Sequence, residues 1–292
     1  MNSVKIQKIL DLRQKYTDLK AGKESLIDII LETELPESVY NSNAIENSTL
    51  SLSDTERVLL DLEVSKEYSL REVFEAKNLA RVYDYIRRKS MTLPLTNETI
   101  LFLHNLLIGG IDDTIAGRYR SAGEYVRVGG HIAPAPEHIM RMVEELLHTY
   151  ATDHSENILE KIARFHLQFE HIHPFNDGNG RIGRVLINFQ LQQYGYPPVI
   201  IRDKEKTIYY DTFKKFRQNK NTVPMEQVIY LALCESLHKR IAYLKSKTII
   251  TLAQYAKNHK LPLASLINKA RRQTITAFRE KGVWKIAADD TI

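Results

Sequence analysis

Twelve consecutive residues, His173-Pro174-Phe175-Asn176-Asp177-Gly178-Asn179-Gly180-Arg181-Ile182-Gly183-Arg184, combine a base, a carboxylate, a glycine-rich turn and two guanidinium groups. Gly178 and Gly180, alternating with Asn179, allow successive backbone N–H groups to face one concavity at the start of the following helix. Such a nest, aided by the helix dipole, binds phosphate. Arg181 and Arg184 add planar, permanently charged forks suited to phosphate oxygens at the same end. Asp177 would oppose a phosphate unless a cation lay between them, and a magnesium ion shared by carboxylate and phosphates resolves the conflict. His173 is the one side chain of the loop whose ordinary pKa suits proton abstraction near neutrality. Together these groups describe attack by a hydroxyl on a magnesium-bound polyphosphate, driven by positioning and charge neutralisation.

The flanking segments supply the frame. Ile158, Leu159, Ile162, Phe165 and Phe169 before the loop, and Val185, Leu186, Phe189 and Leu191 after it, follow the spacing of core-facing helices. Leu101, Leu103, Leu106 and Leu107 do the same, so the chain reads as mainly α. The exception lies between Gly117 and Pro136. There Tyr125-Val126-Arg127-Val128 and His131-Ile132-Ala133 flank Gly129-Gly130, two glycines expected to supply the positive φ of a short β-hairpin. His166 and His171 belong to the first helix and are expected to pack in the core or orient neighbours. Taken singly, a His beside a Pro is usually a cap, Gly-Asn-Gly a turn, and two arginines one turn apart a solvated face. In this order within one loop, chemistry is the better account.

At 292 residues, 43% hydrophobic and 26% charged, the chain suits a soluble core domain with smaller units at its ends. Its longest apolar run, Val228 to Cys234, is too short to span a bilayer, and the segment Met1 to Tyr16 has no apolar signal region. The single cysteine, Cys234, cannot form an internal disulfide and reads as a buried filler, so a reducing cytoplasm is expected. Between 245 and 292 there are ten Lys or Arg against three Asp or Glu, whereas the whole chain carries only +5. The tail is therefore the candidate surface for an acidic partner.

The loop matches at every fixed position the signature H-x-F-x-[DE]-G-N-G-R-x-x-R and so resembles the Fic (Fido) proteins. The resemblance implies a helical core with a hairpin flap, and AMP transfer from ATP to a Tyr, Thr or Ser hydroxyl of a target protein. It implies His173 as the base, Phe175 as the core anchor and Asp177 as the ligand of Mg2+. Asn176, Gly178, Asn179, Gly180, Arg181 and Arg184 then form the nucleotide seat, which Tyr209 and Tyr210 would line at the adenine. Val128, Gly129, Gly130 and Ile132 correspond to the flap that would hold an extended target segment. Ser42-Asn43-Ala44-Ile45-Glu46-Asn47 resembles the family's inhibitory motif [ST]-x-x-x-E-[GN], in which Glu46 would pair with Arg184 and take the place of the γ-phosphate. The bland reading of this spacing is capping at a helix start.

From Thr251 to Ile286 the chain resembles a winged helix-turn-helix module, with Phe278-Arg279, Gly282 and Trp284-Lys285-Ile286 forming the wing. Docking to DNA or to a protein is left open, as is homo-oligomer formation, and no membrane partner is expected. Breakers and composition shifts divide the chain into 1–95, a helical region with the inhibitory motif; 96–245, the catalytic core; and 246–292, the basic module. Two other activities compete with AMP transfer: removal of AMP from a modified protein, and nucleotide-responsive DNA binding. A kinase of the Doc type lacks part of the phosphate seat, and the intact Gly178 and Arg184 argue against it.

Overall fold

A computed structural model of the chain describes residues 3–62, 68–155 and 157–291. Its first half comprises α1 (Ser3–Lys20), α2 (Glu24–Ile45), α3 (Leu52–Leu59), α4 (Leu70–Lys89) and α5 (Asn97–Ile108). A two-strand hairpin, β1 (Arg127–Val128) and β2 (His131–Ile132), precedes α6 (Ile139–Thr152), α7 (Ile158–Ile172) and α8 (Asn179–Gln193). The last part holds α9 (Lys206–Asn219), α10 (Val223–Leu244), β3 (Ile249–Thr251), α11 (Leu252–Asn258), α12 (Leu263–Arg271), β4 (Phe278–Glu280) and β5 (Val283–Ala287). The fold is mainly α, as the apolar spacing predicts.

Local chemistry marks the helix starts. Ser51, Ser69, Thr96, Asn157 and Thr251 each accept a hydrogen bond from the backbone N–H three residues on, satisfying a donor that the first helical turn leaves free. Ser42 does not cap a helix: it lies in the last turn of α2, and Glu46 is the residue that closes it. The capping interpretation of that motif is therefore wrong, because the helix began eighteen residues earlier, at Glu24.

Helices α7 and α8 form the central hairpin, buried on two sides. Phe165, Phe169, Val185 and Phe189 join one apolar cluster with α4, α5 and α6, while Ile162, Leu167, Ile187 and Leu191 join another with α1, α9 and α10. Burial of one such side chain stabilises the fold by about 1.5–3 kcal/mol. This two-sided clamp holds the intervening loop still.

The hairpin between 117 and 136 is shorter than expected, pairing only Arg127 with Ile132 and Val128 with His131. Only one of its two glycines, Gly129 at φ 57°, takes the positive-φ position. The C-terminal segment has its own cluster around Leu252, Tyr255, Leu266 and Ile286, covered by an antiparallel sheet of order β3-β5-β4. Its β4–β5 turn places Lys281 and Gly282 at positive φ, 49° and 76°, the geometry that matches strand twist in a tight hairpin. Among the described residues no helix is long and apolar enough to cross a membrane.

Candidate active site

His173 closes α7 in the left-handed conformation, φ 51°, with its N–H still bonded to the Phe169 carbonyl at 2.9 Å. That reversal turns the chain so that Phe175 is fully buried, its ring stacked on His104 of α5 with centroids 3.6 Å apart. Asn179 locks the loop: its amide accepts from the Phe175 N–H at 2.9 Å and donates to the Phe175 carbonyl at 2.8 Å. The side chain is thus a loop clamp, leaving the backbone N–H of Asn179 for any phosphate nest. Arg120 holds the other side, donating to the carbonyls of His173 at 2.9 Å, Glu124 at 2.8 Å and Pro134 at 3.0 Å. His104 accepts from the Gly117 N–H at 3.0 Å through Nδ1, so its Nε2 carries the proton and donates to the Asp177 carbonyl at 3.0 Å. Burial lowers the His104 pKa to about 4 and keeps this ring neutral.

Two glycines make the anion cradle. Gly178 starts α8 at φ 81°, a conformation costly for residues with a Cβ. At Gly180 a Cβ would lie 2.2 Å from Glu46 Oε1 and 3.1 Å from Arg184 Nη1, so a larger residue there would push the Glu46 carboxylate from its present position. Glu46 fills it with a carboxylate. Its Oε1 accepts from Arg184 Nη2 at 2.8 Å, and Arg184 also donates to the Ser42 carbonyl at 2.7 Å and to Ser42 Oγ at 3.0 Å. Arg184 is buried, and its Nη1 has no hydrogen-bond partner among the described residues. Burial opposes its charge, but Glu46, Tyr209 and Tyr83 together more than offset this and raise its pKa.

Asp177 accepts from Gly178 N–H at 2.6 Å and Arg181 at 3.0 Å through Oδ1, and from Arg71 of α4 through Oδ2. Burial would raise its pKa, but Arg181, the Gly178 N–H and Arg71 more than offset this and hold the carboxyl ionised. Such a group can ligate a hard cation. Among the described residues no three His, Cys, Asp or Glu side chains form a metal cage, so a cation here would draw most of its oxygen shell from phosphates and water. Arg71 and Arg181 would then have to share or yield the Asp177 oxygens.

Burial lowers the His173 pKa to about 4, so the imidazole is neutral and able to take a proton at pH 7. Its Nδ1 lies 3.8 Å from the Glu170 carboxylate. Burial, with the Glu46 charge, pushes the Glu170 pKa up to about 8.

A cavity of about 440 Å³ is lined by His173, Gly180, Arg184, Tyr209, Tyr210, Glu46, Val128 and Gly129 among others. Another of about 450 Å³ reaches Asn176, Asp177, Gly178, Asn179, Arg181 and Arg71, sharing Glu46, His173 and Gly180 with the first. Each is of ligand-site size. Gly130 and Ile132 line neither, and Ile132 is 71% exposed. Tyr209 is buried with its hydroxyl 2.8 Å from His166 Nε2, and the Tyr210 hydroxyl donates to the Ile45 carbonyl at 3.1 Å. His166 thus orients a cavity-lining tyrosine, and His171 stacks against His131 of the hairpin with centroids 6.2 Å apart.

Sequence reasoning missed His104, Arg120, Glu170 and Arg71. His104 lies on an apolar helical face and reads as core, and Glu170 lies among core positions of α7. Arg120 lies in the irregular stretch before the hairpin, and nothing local ties it to the His173 carbonyl 53 positions away. Arg71 meets Asp177 from 106 positions away, and no local pattern signals that contact.

A buried helical hairpin presenting a glycine-lined turn, two arginines and a neutral histidine has the chemistry to hold phosphate. In comparison with known proteins, residues 94–191 match the sequence model of the Fic/DOC family, and the chain carries a Fic/DOC domain there. Among relatives, it is 34% identical over 179 residues to the protein adenylyltransferase Fic of Drosophila virilis, covering 60% of this chain and 36% of that protein. It is 32% identical over 212 residues to the protein of the same name from Nematostella vectensis, covering 70% of this chain and 48% of the relative. The chain thus spans between about a third and half of these relatives. Among solved structures, a Fic domain containing signaling protein from Bacteroides thetaiotaomicron superposes with a TM-score of 0.73 at 27% identity, over 82% of this chain and 97% of that one. A Fic family protein from Desulfovibrio desulfuricans shares the fold over 100% of this chain and 98% of its own, with a TM-score of 0.70 at 20% identity.

Proposed function

We propose that this chain transfers AMP from Mg-ATP to a Tyr, Thr or Ser hydroxyl of a target protein and is held in check by Glu46. The observation that carries this reading is the Glu46 carboxylate, 2.8 Å from Arg184 Nη2 and directly over Gly180. A carboxylate there stands in for phosphate oxygens: it marks the anion seat and blocks it at once. The relatives named protein adenylyltransferase support the reaction type.

In the open state, neutral His173 takes the proton of the target hydroxyl. The hydroxyl oxygen bonds to the α-phosphorus as the bond to the bridging oxygen breaks, and pyrophosphate leaves. The N–H groups at the start of α8 stabilise charge on the phosphoryl oxygens, and Arg184 and Arg181 hold the leaving phosphates. Asp177 would hold the magnesium ion, which neutralises phosphate charge. Val128 and Gly129, at the cavity wall, would present the target segment as an added strand. Catalysis is assigned to 96–245, with 1–95 as the brake and 246–292 as a docking module for DNA or protein, in a reducing cytoplasm. In that module, exposed Lys257, Lys260, Arg271 and Arg272 flank the two helices and provide the basic surface.

The assay uses ATP labelled at the α- or γ-phosphate with candidate targets. The α-label should enter protein weakly with wild-type chain and strongly with Glu46→Gly, and be absent with His173→Ala/Glu46→Gly, while ATP binding by calorimetry persists. Transfer by His173→Ala would refute the base assignment, and γ-label in protein would indicate phosphorylation. Release of AMP from a modified protein would favour the reverse activity, with Glu46 orienting water.

A further inference from the structure

The C-terminal wing does not stand free. The N–H of Gly282, at its turn, donates to Glu37 Oε1 on α2 at 3.1 Å. The same oxygen is 2.5 Å from Arg202 Nη1, and Arg202 Nη2 is 2.7 Å from Glu235 of α10. Arg279 of β4 grips Glu235 with Nε at 3.0 Å and Nη2 at 2.6 Å. Glu37, Arg202 and Glu235 are all buried. A second link runs beside the first: Lys239 of α10 bridges Glu34 of α2 at 3.0 Å and Glu280 of β4 at 3.1 Å. The wing therefore reaches α2 along a continuous chain of charge pairs.

Glu37 precedes Glu46 by nine residues, a rise of about 13 Å along the helix. Helical geometry places Glu34, Glu37 and Asn41 on one stripe and turns Ser42 roughly 105° and Glu46 roughly 145° around the axis from it. One face of α2 is thus held by the wing network while the adjoining face delivers Ser42 and Glu46 to Arg184. Asn41 strengthens the first face, its Oδ1 accepting from the Asp203 N–H at 3.0 Å. A helix is stiff along its axis, so a shift or rotation at Glu37 is transmitted to Glu46.

We propose that the wing of the C-terminal module is part of the brake: Arg279, through Glu235 and Arg202, positions α2 so that Glu46 stays on Arg184. The proposal rests on the reading of Glu46 as an inhibitor. The module's wing is engaged inward, and its basic helices α11 and α12 carry the free outer surface. Anything that pulls the wing away loosens the brake.

The test measures AMP incorporation and α2 hydrogen exchange in full-length Arg279→Gln and in the paired Glu235→Gln/Arg279→Gln variant, which avoids stranding a buried charge. Both should raise incorporation by at least about fivefold, the lower range of typical site-to-site couplings. Both should also speed exchange in 34–46, and Arg279→Lys should restore part of the restraint. In a Glu46→Gly background the same changes should add nothing, whereas mere destabilisation would lower activity in either background. If Glu46→Gly activates while the Arg279 variants alter neither activity nor exchange, the wing is not part of the brake and the inhibitory role of Glu46 stands. If Glu46→Gly itself does not activate, the inhibitory reading fails and this proposal fails with it.

Discussion

At the scale of single residues, His173 owes its fitness to burial. Ordinary histidine is half protonated near pH 6.5, but burial disfavours the imidazolium and lowers the pKa here to about 4. A base with a lowered pKa is neutral at every pH above that value. For the Glu46→Gly protein, the acid limb of the kcat/KM profile should therefore fall near pH 4, not near 6.5; a limb at 6.5 would assign the proton transfer to a group outside this environment. Tyr209 shows the same influence in the opposite sense, since burial raises a phenol's pKa and keeps its hydroxyl available as a hydrogen-bond partner for His166.

At the scale of elements, the loop from His173 to Arg184 is held by a few polar clamps over an aromatic anchor. Asn179 makes two buried hydrogen bonds to the Phe175 backbone, and both groups lose their partner in Asn179→Ala. The expected cost is about 1–3 kcal/mol for the stranded backbone groups. Thermal denaturation should show a Tm several degrees lower, and the labelled-ATP assay a loss of transfer larger than the stability change explains. A Tm within error of wild type would mean that water replaces the clamp. The loop's chemistry and its anchor are legible in sequence, because the motif is contiguous. The clamp by Arg120 and the stack of His104 on Phe175 are not, because they join segments 53 and 71 positions apart.

At the scale of the whole molecule, buried charge pairs link α2, α10 and the C-terminal sheet. Glu34 and Glu235 show the balance: burial would raise their pKa values, but Arg240 and Lys239 for the first, and Arg202 and Arg279 for the second, lower them below the ordinary 4.5. A carboxyl with a depressed folded pKa contributes stability above its unfolded value and loses it as pH falls through the folded one. Glu170, raised to about 8, works the other way and favours the folded state at lower pH. If the paired carboxylates dominate, the wild-type Tm should drop steadily as pH falls below about 4.5, and the drop should be smaller in Glu235→Gln/Arg279→Gln. Equal slopes would show that Glu235 contributes no acid sensitivity.

Contiguous chemistry and periodic apolar spacing are properties of the sequence itself. They suffice to identify the loop from His173 to Arg184, the helical character of the chain and the hairpin. Glu46 as a partner of Arg184 comes instead from the resemblance of Ser42 to Asn47 to the family's inhibitory motif. Tertiary structure decided that Glu46 ends a helix and meets Arg184 over Gly180, that Asn179 clamps the loop, and that the wing grips α2. The physical reason is range. Backbone periodicity and turn chemistry act over a few residues, whereas ion pairs and burial depend on which distant segments the packed core brings within 3 Å of one another.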